Sequence, residues 1–219
     1  MKFITLLNVG ALFLQSCATL RESPKYQLSD GYYDFSQTDS KYRKVYIKSG
    51  NDSVTIHPID GEPPITIEPS KDEYFRKNSF DIDVMTILFK YRPKSTTIPR
   101  QLNTNFNGNV YFGYRVDRFQ IDFEKTPAGQ RKTFRHNGLT FGLFGGIGST
   151  PVNTWTTANQ IADEYDGVVL SRGFAVMVGL NSLTVGVGVG WDYLTDRDKK
   201  LWIYQNKPWF GLTLGLNLN

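Results

Sequence analysis

The chain has 219 residues, of which 40% are hydrophobic and 21% charged, and its formal net charge is +4. That length allows one domain plus an appendage, and the composition excludes a disordered polyelectrolyte. One cysteine and two histidines exclude an internal disulfide and a Cys/His zinc cluster, and so small and diffuse a charge gives no pointer to nucleic acid.

Lys2 is the only charged residue before Arg21, and residues 3–14 between them are largely apolar. A positive start followed by a short apolar run reads as a secretory signal, too short for a spanning helix. The run ends in Leu14-Gln15-Ser16-Cys17, which resembles the lipobox of bacterial lipoproteins. The resemblance implies a signal peptide over 1–16 and lipid attachment to the Cys17 thiol. Several acyl chains make such an anchor firm, because each buried CH₂ contributes about 0.8 kcal/mol. Ala18 at the next position, with no Asp, favours the outer membrane, and the absence of an acidic cluster over 18–23 favours its periplasmic leaflet.

Residues 17–79 read as a polar, lipid-anchored extension. Two β-prone runs, 45–47 and 54–56, flank Ser49-Gly50-Asn51-Asp52 and predict a hairpin. Prolines at 58, 63, 64 and 69 exclude a helix beyond it. His57 is expected at a strand end, exposed.

From residue 80 the hydrophobic period is two. Alternation over 80–91, 105–116, 118–124, 138–148, 173–181, 183–192 and 209–219 predicts seven strands. In the last three runs the apolar face is Val, Leu and Phe with Trp191, and the glycines all fall on the opposite face. Thirteen of the 20 glycines fall between Gly138 and Gly215. A solvated strand face is seldom Gly, which weakens a strand and packs nothing. A crowded barrel lumen uses Gly to admit large neighbours, so the apolar face is expected to point outward, to lipid, with Val187 outside and Gly188 inside. Tyr and Trp near strand ends fit interfacial belts. Gly211, Leu214 and Leu216 resemble the final strand read by outer-membrane assembly machinery, although the chain ends in Asn219 and not an aromatic residue.

The predicted fold is therefore all-β: a small antiparallel up-and-down barrel of about eight strands over 80–219, behind an irregular N-terminal extension. An antiparallel barrel with both ends on one side needs an even number, so an eighth strand is expected from the 43–57 hairpin. Loops 149–165 and 194–207 are expected outside the cell, the 181–182 turn in the periplasm, and the 93–104 loop, somewhat long for its place, also in the periplasm. The stretches QLNTNFNG at 101–108, EYDGVV at 164–169 and WIYQNKPW at 202–209 resemble uncharacterised outer-membrane-associated proteins of Bacteroidota; the resemblance implies location and brings no activity.

No catalytic, cofactor or metal site is expected. His136 sits on the polar strand face with Gly138 and Thr140, where a base could act, but no Ser lies at the spacing that lipid deacylases resembling this would show. Arg115, Asp122, Glu124 and Asp192 are expected to be luminal and to pair. Asp163, Glu164 and Asp166 lack a calcium-loop spacing, and Gly145-Gly146-Ile147-Gly148 lacks the Lys and helix of a phosphate loop. Three functions remain open: a non-enzymatic accessory component of an outer-membrane assembly, partnered by lipid and another outer-membrane protein; a barrel that binds an apolar ligand; and a lipid-modifying enzyme.

Overall fold

The computed structural model describes residues 28–37, 42–49, 54–66, 73–94, 100–127, 129–180 and 183–217. Cys17 and the 181–182 turn lie outside the described residues. The elements are β1 (Gly31–Gln37), β2 (Arg43–Ser49), β3 (Val54–Pro58), β4 (Ile65–Thr66), β5 (Glu73–Arg92), β6 (Gln101–Asn103), β7 (Asn107–Thr126), β8 (Gly129–Val152), β9 (Tyr165–Leu180), β10 (Leu183–Leu194), a 3-10 turn at Arg197–Lys200, and β11 (Pro208–Asn217). Every pairing is antiparallel.

Six strands close a ring, in the order β5, β7, β8, β9, β10, β11 and back to β5. One circuit along ladder partners runs Phe80, Tyr114, Phe141, Val176, Val187, Leu212 and Phe89, returning to β5 nine residues further on. That offset is the stagger that tilts the strands and lets so few of them close. A bulge at Leu88, where Leu212 faces Phe89 and Thr213 faces Ile87, takes up the last of it. Beside the bulge the Asn107 side chain acts as a strand partner. It accepts from the Ile87 N–H at 2.7 Å and donates to the Ile87 carbonyl at 2.8 Å.

The ring holds six strands, not about eight, for two physical reasons. First, the predicted strands 105–116 and 118–124 are one unbroken strand, β7. Its apolar residues switch from even positions (Val110, Phe112, Tyr114, Val116) to odd ones (Phe119, Ile121), and such a break in phase imitates a turn. The strand instead leaves one environment for another. Its odd positions from 107 to 121 face inward and are buried, polar or small up to Asp117 except for Tyr111, and apolar at Phe119 and Ile121. Second, the hairpin of β2 and β3 exists as expected but stays outside the ring. It extends from β1, which pairs with β5 only over residues 73–76. β1 itself arises in a stretch whose polar composition suggested no strand.

Two bodies of packing result. Below the ring, β1–β3 and the lower ends of β5 and β7 enclose a conventional apolar core that includes Phe35, Ile47, Ile56, Phe75 and Phe119. β5 runs unbroken from that core into the ring. Within the ring the polarity is reversed: Phe80, Phe141, Val187 and Leu216 are 75%, 54%, 64% and 55% exposed, while Asp81, Asp83, Arg115 and Asp192 are buried. Residues 100–106, 153–164 and 195–207 lie at one end of the ring. The β7–β8 and β9–β10 hairpin ends, the N-terminal sheet and the end of β11 lie at the other. The 93–104 connection is thus on the same side as the two long loops, because merging two predicted strands reverses its side.

Candidate functional site: a charged, capped lumen

Strand alternation sends every second residue of the six strands inward, and these residues fill the lumen in three tiers. At the loop end, Lys90 Nζ donates to both Asp192 oxygens at 3.0 Å and to Ser171 Oγ at 3.1 Å. Arg92 Nη2 donates to Asp192 Oδ2, and Ser171 Oγ donates to Asp192 Oδ1 at 2.7 Å. Two cations thus share one buried carboxylate. The bulge at Leu88 shifts the phase of β5, so that even residues 90 and 92 face inward beyond it.

The 195–207 loop closes this tier from above. Trp202 and Tyr204 are buried and face the Arg92 guanidinium at 5.3 and 4.7 Å from their ring centres, an arrangement in which the ring quadrupoles attract the charge. Burial pushes the Tyr204 phenol above its ordinary range, with Arg92 opposing the shift. Val152, Val169 and Leu194 give the loop an apolar seat, and Gln205 Oε1 accepts from the Leu194 N–H at 2.9 Å.

The middle tier is apolar: Met85, Ile87, Tyr111, Phe144, Ala175, Met177 and Trp209 pack together. Trp209 lies flat enough on Gly190 that a Cβ there would collide with its ring. The lumen is a packed core at this height and not a channel.

The lower tier is acidic around one arginine. Arg115 Nε donates to Asp117 Oδ1 at 2.8 Å, and its Nη1 lies 3.6 Å from Asp81. Thr184 donates to Asp83 at 2.7 Å. Gly138 and Gly179 face each other across β8 and β9, and a Cβ on either would come within 2.7 Å of Arg115 Nη2. This is the role expected of luminal glycine, which leaves room for a long neighbour.

His136 links the lumen to the lower core. Its Nε2 is 2.7 Å from Asp117 Oδ1 and its ring lies against Phe119 with centroids 4.8 Å apart. That makes it the end of an Arg115–Asp117–His136 chain. We expect His136→Ala to leave the acyl composition of lipopolysaccharide and phospholipids unchanged, as read by mass spectrometry of deletion, wild-type and variant strains. A lipid difference between deletion and wild type that the variant reproduces at normal protein level would promote the enzyme reading.

Of the four charges expected in the lumen, Arg115 and Asp192 are there. Asp122 and Glu124 fall instead on the β7–β8 arm, opposite residues 133 and 131 and past the last β5 partner of β7, Ile121. They followed the lumen by extrapolation along a strand that outruns its ring. Asp163 faces Arg197 at 3.6 Å on the loop side, and among the described residues no group of His, Cys, Asp or Glu is arranged to hold a metal ion. Gly145–Gly148 lies within β8. Sequence reasoning missed Lys90, Arg92 and the Asp81–Asp83 pair. The alternating Asp81-Ile82-Asp83-Val84 was a usable signal, while Lys90 and Arg92 were concealed by the bulge.

Compared with protein-family models, curated proteins and solved structures, the chain finds no match in any of the three.

Proposed function

We propose that this chain is a non-enzymatic, lipid-anchored outer-membrane β-barrel protein that serves as an accessory component of an outer-membrane assembly. The observation that carries the reading is the inverted polarity of the ring. An outward face made of Phe, Leu and Val on six strands, over an interior of ion pairs, is unfavourable in water and is the arrangement of a transmembrane barrel. From Leu183 to Tyr193 the outward face of β10 covers a rise of about 25 Å for a strand tilted by about 45°, which matches the apolar thickness such barrels present. Trp191, Tyr193 and Tyr91 stand toward the loop end of this belt, where amphipathic rings favour an interface. Six strands are fewer than the eight at which the common outer-membrane barrels begin, and the packed lumen fits an anchor or a docking element better than a pore.

The ends of the ring support the orientation. Long connections on one side and hairpin ends on the other correspond to the extracellular and periplasmic sides of such barrels. The N-terminal sheet then lies in the periplasm, on the same side as a Cys17 anchor in the inner leaflet. The experiment is a heat-modifiable gel shift of the protein extracted from outer membranes, which a closed barrel gives and a loosely attached soluble module does not. Cys17→Ala should abolish labelling by a palmitate analogue and leave the precursor uncut; undiminished label in the variant sinks the anchor.

The reading as a binding module for an apolar ligand has one observation in its favour. Phe89, Tyr91, Phe174 and Phe210 surround Val187 and Val189 in a groove of about 480 Å³ on the outward face. Inside a membrane, lipid chains or a partner barrel would fill it.

A further inference from the structure

One outward position interrupts the apolar belt. On β9 the outward residues from Leu180 to Val168 are all exposed, and all are apolar except Arg172. Arg172 stands eight residues above Leu180, about 19 Å for a strand tilted by about 45°, which is still within a belt of about 25 Å. Its ladder partners are Gly145 on β8 and Trp191 on β10. The rung below is Leu143, Phe174 and Val189, and the rung above is Ile147, Leu170 and Tyr193. None of these is a carboxylate, and the Arg172 guanidinium makes no ion pair or ring contact with a described residue.

The carboxylates of this side stand further toward the loops. Asp196 accepts from the Val168 N–H at 3.2 Å, four residues beyond Arg172, and Asp166 is exposed six residues beyond it. Asp198 is engaged by Tyr165 and Arg197, and Asp163 faces Arg197. Between Arg172 and these acids a second cation, Lys199, donates to Tyr193 Oη at 3.2 Å. Arg172 is thus a cation in the lipid-facing surface without a protein counter-charge, a costly placement that an anion from outside the chain relieves. Gly145 leaves the surface beside it open, since a Cβ there would meet only the Ser171 carbonyl oxygen, at 3.9 Å. One rung beneath, Phe174 and Val189 border the apolar groove of about 480 Å³, with Val187, Phe210 and Phe89 completing it. Trp191 meets Phe174 edge-on at its upper margin, with ring centroids 6.3 Å apart.

We propose that Arg172 binds the phosphate of an anionic phospholipid from the loop-side leaflet, and that an acyl chain of the same lipid lies in the groove beneath. A guanidinium presents paired N–H donors that match phosphate oxygens, and Gly145 leaves the headgroup its room. A lipid brings its phosphate above its chain, which is the order of cation and groove on this face. A partner protein's carboxylate at this depth would carry a desolvation cost of its own. The site rests on the membrane reading above; it adds the lipid class and the strands, β8 to β11, that hold it.

The test is native mass spectrometry of the full chain, purified in mild detergent and mixed with equimolar phosphatidylglycerol and phosphatidylcholine of equal chain length. Wild-type protein should retain phosphatidylglycerol over phosphatidylcholine by about fivefold, the contribution of one cation near an anionic surface. Arg172→Gln, at an exposed position, should erase that preference. Val187→Phe, which fills the groove with another apolar side chain, should lower retention of both lipids and leave their ratio unchanged. Equal retention of the two lipids by wild type, or a wild-type ratio in Arg172→Gln, would overturn the headgroup assignment. Undiminished retention in Val187→Phe would overturn the groove as the seat of the chain. Release of the lipid by millimolar glycerol 3-phosphate would show recognition of a free phosphate ester and end the commitment to a lipid. A polypeptide that co-purifies with wild type and is lost from Arg172→Gln, with no lipid preference in either, would give the face to a protein partner instead. Failure of the membrane reading is separately visible: a protein that is monomeric and soluble without detergent removes both the belt and the site, whereas a detergent-requiring protein with no lipid preference removes the site alone.

Discussion

Asp192→Ala should destabilise the barrel by about 3–5 kcal/mol, the usual cost of leaving buried charge without its partner. Asp192 is fully buried and is the shared acceptor for Lys90, Arg92 and Ser171. Its loss leaves an ammonium and a guanidinium charge in a packed tier beneath the 195–207 cap, with no second carboxylate among their described partners. The cap should loosen as well, because Arg92 is held under Trp202 and Tyr204 by the same pair. The measurement is the urea midpoint of the refolded barrel in detergent micelles, read by the heat-modifiable band, with tryptophan fluorescence reporting the cap. A triple replacement, Lys90→Met/Arg92→Met/Asp192→Leu, should recover most of the loss, since an apolar set of similar volume needs no counter-charge. A midpoint for Asp192→Ala equal to that of wild type would show that the upper tier contributes nothing to stability.

Val187→Arg should impair membrane assembly by roughly 2–4 kcal/mol, the cost of a cation near the midplane of a barrel's lipid face. Val187 is outward and 64% exposed, between Val176 on β9 and Leu212 on β11. The sign of this effect separates the two environments open to the ring. In water an exposed Val→Arg change is close to neutral and improves solubility; in lipid it is strongly unfavourable. The neighbouring position probes the other face. Gly188 points inward, where a Cβ would already sit 3.3 Å from Thr213 and 3.5 Å from Phe144, so Gly188→Leu should overpack the lumen and cost about 1–3 kcal/mol in either environment. Outer-membrane yield and the heat-modifiable fraction would be compared for the two variants. Normal assembly of Val187→Arg would remove the lipid-facing assignment.

Several features were legible in the residues alone because they depend only on the two-residue repeat of a strand. The outward set Val185, Val187 and Val189 and the inward set Gly186, Gly188 and Gly190 both follow from alternation, and alternation survives any arrangement of neighbours. The use of glycine as luminal space was likewise readable, since no other role suits Gly on one face of a long strand. The hairpin of β2 and β3 was announced by its turn residues.

Strand count, ring closure and the identity of the charge network depended on tertiary structure. A change of hydrophobic phase along β7 has the same signature whether the chain turns or the surroundings change, and only the packing of Phe119 and Ile121 against Phe35, Phe75 and Ile47 distinguishes the two. Whether six strands or eight close a ring is set by stagger accumulated over all of them, a quantity no local window contains. The bulge at Leu88 decides that Lys90 and Arg92 face Asp192, about a hundred residues away in the chain, because one extra residue exchanges the two faces of a strand. Local periodicity determined which side chains share a face in this protein; the register between strands decided which faces meet and where the polarity of the sheet reverses.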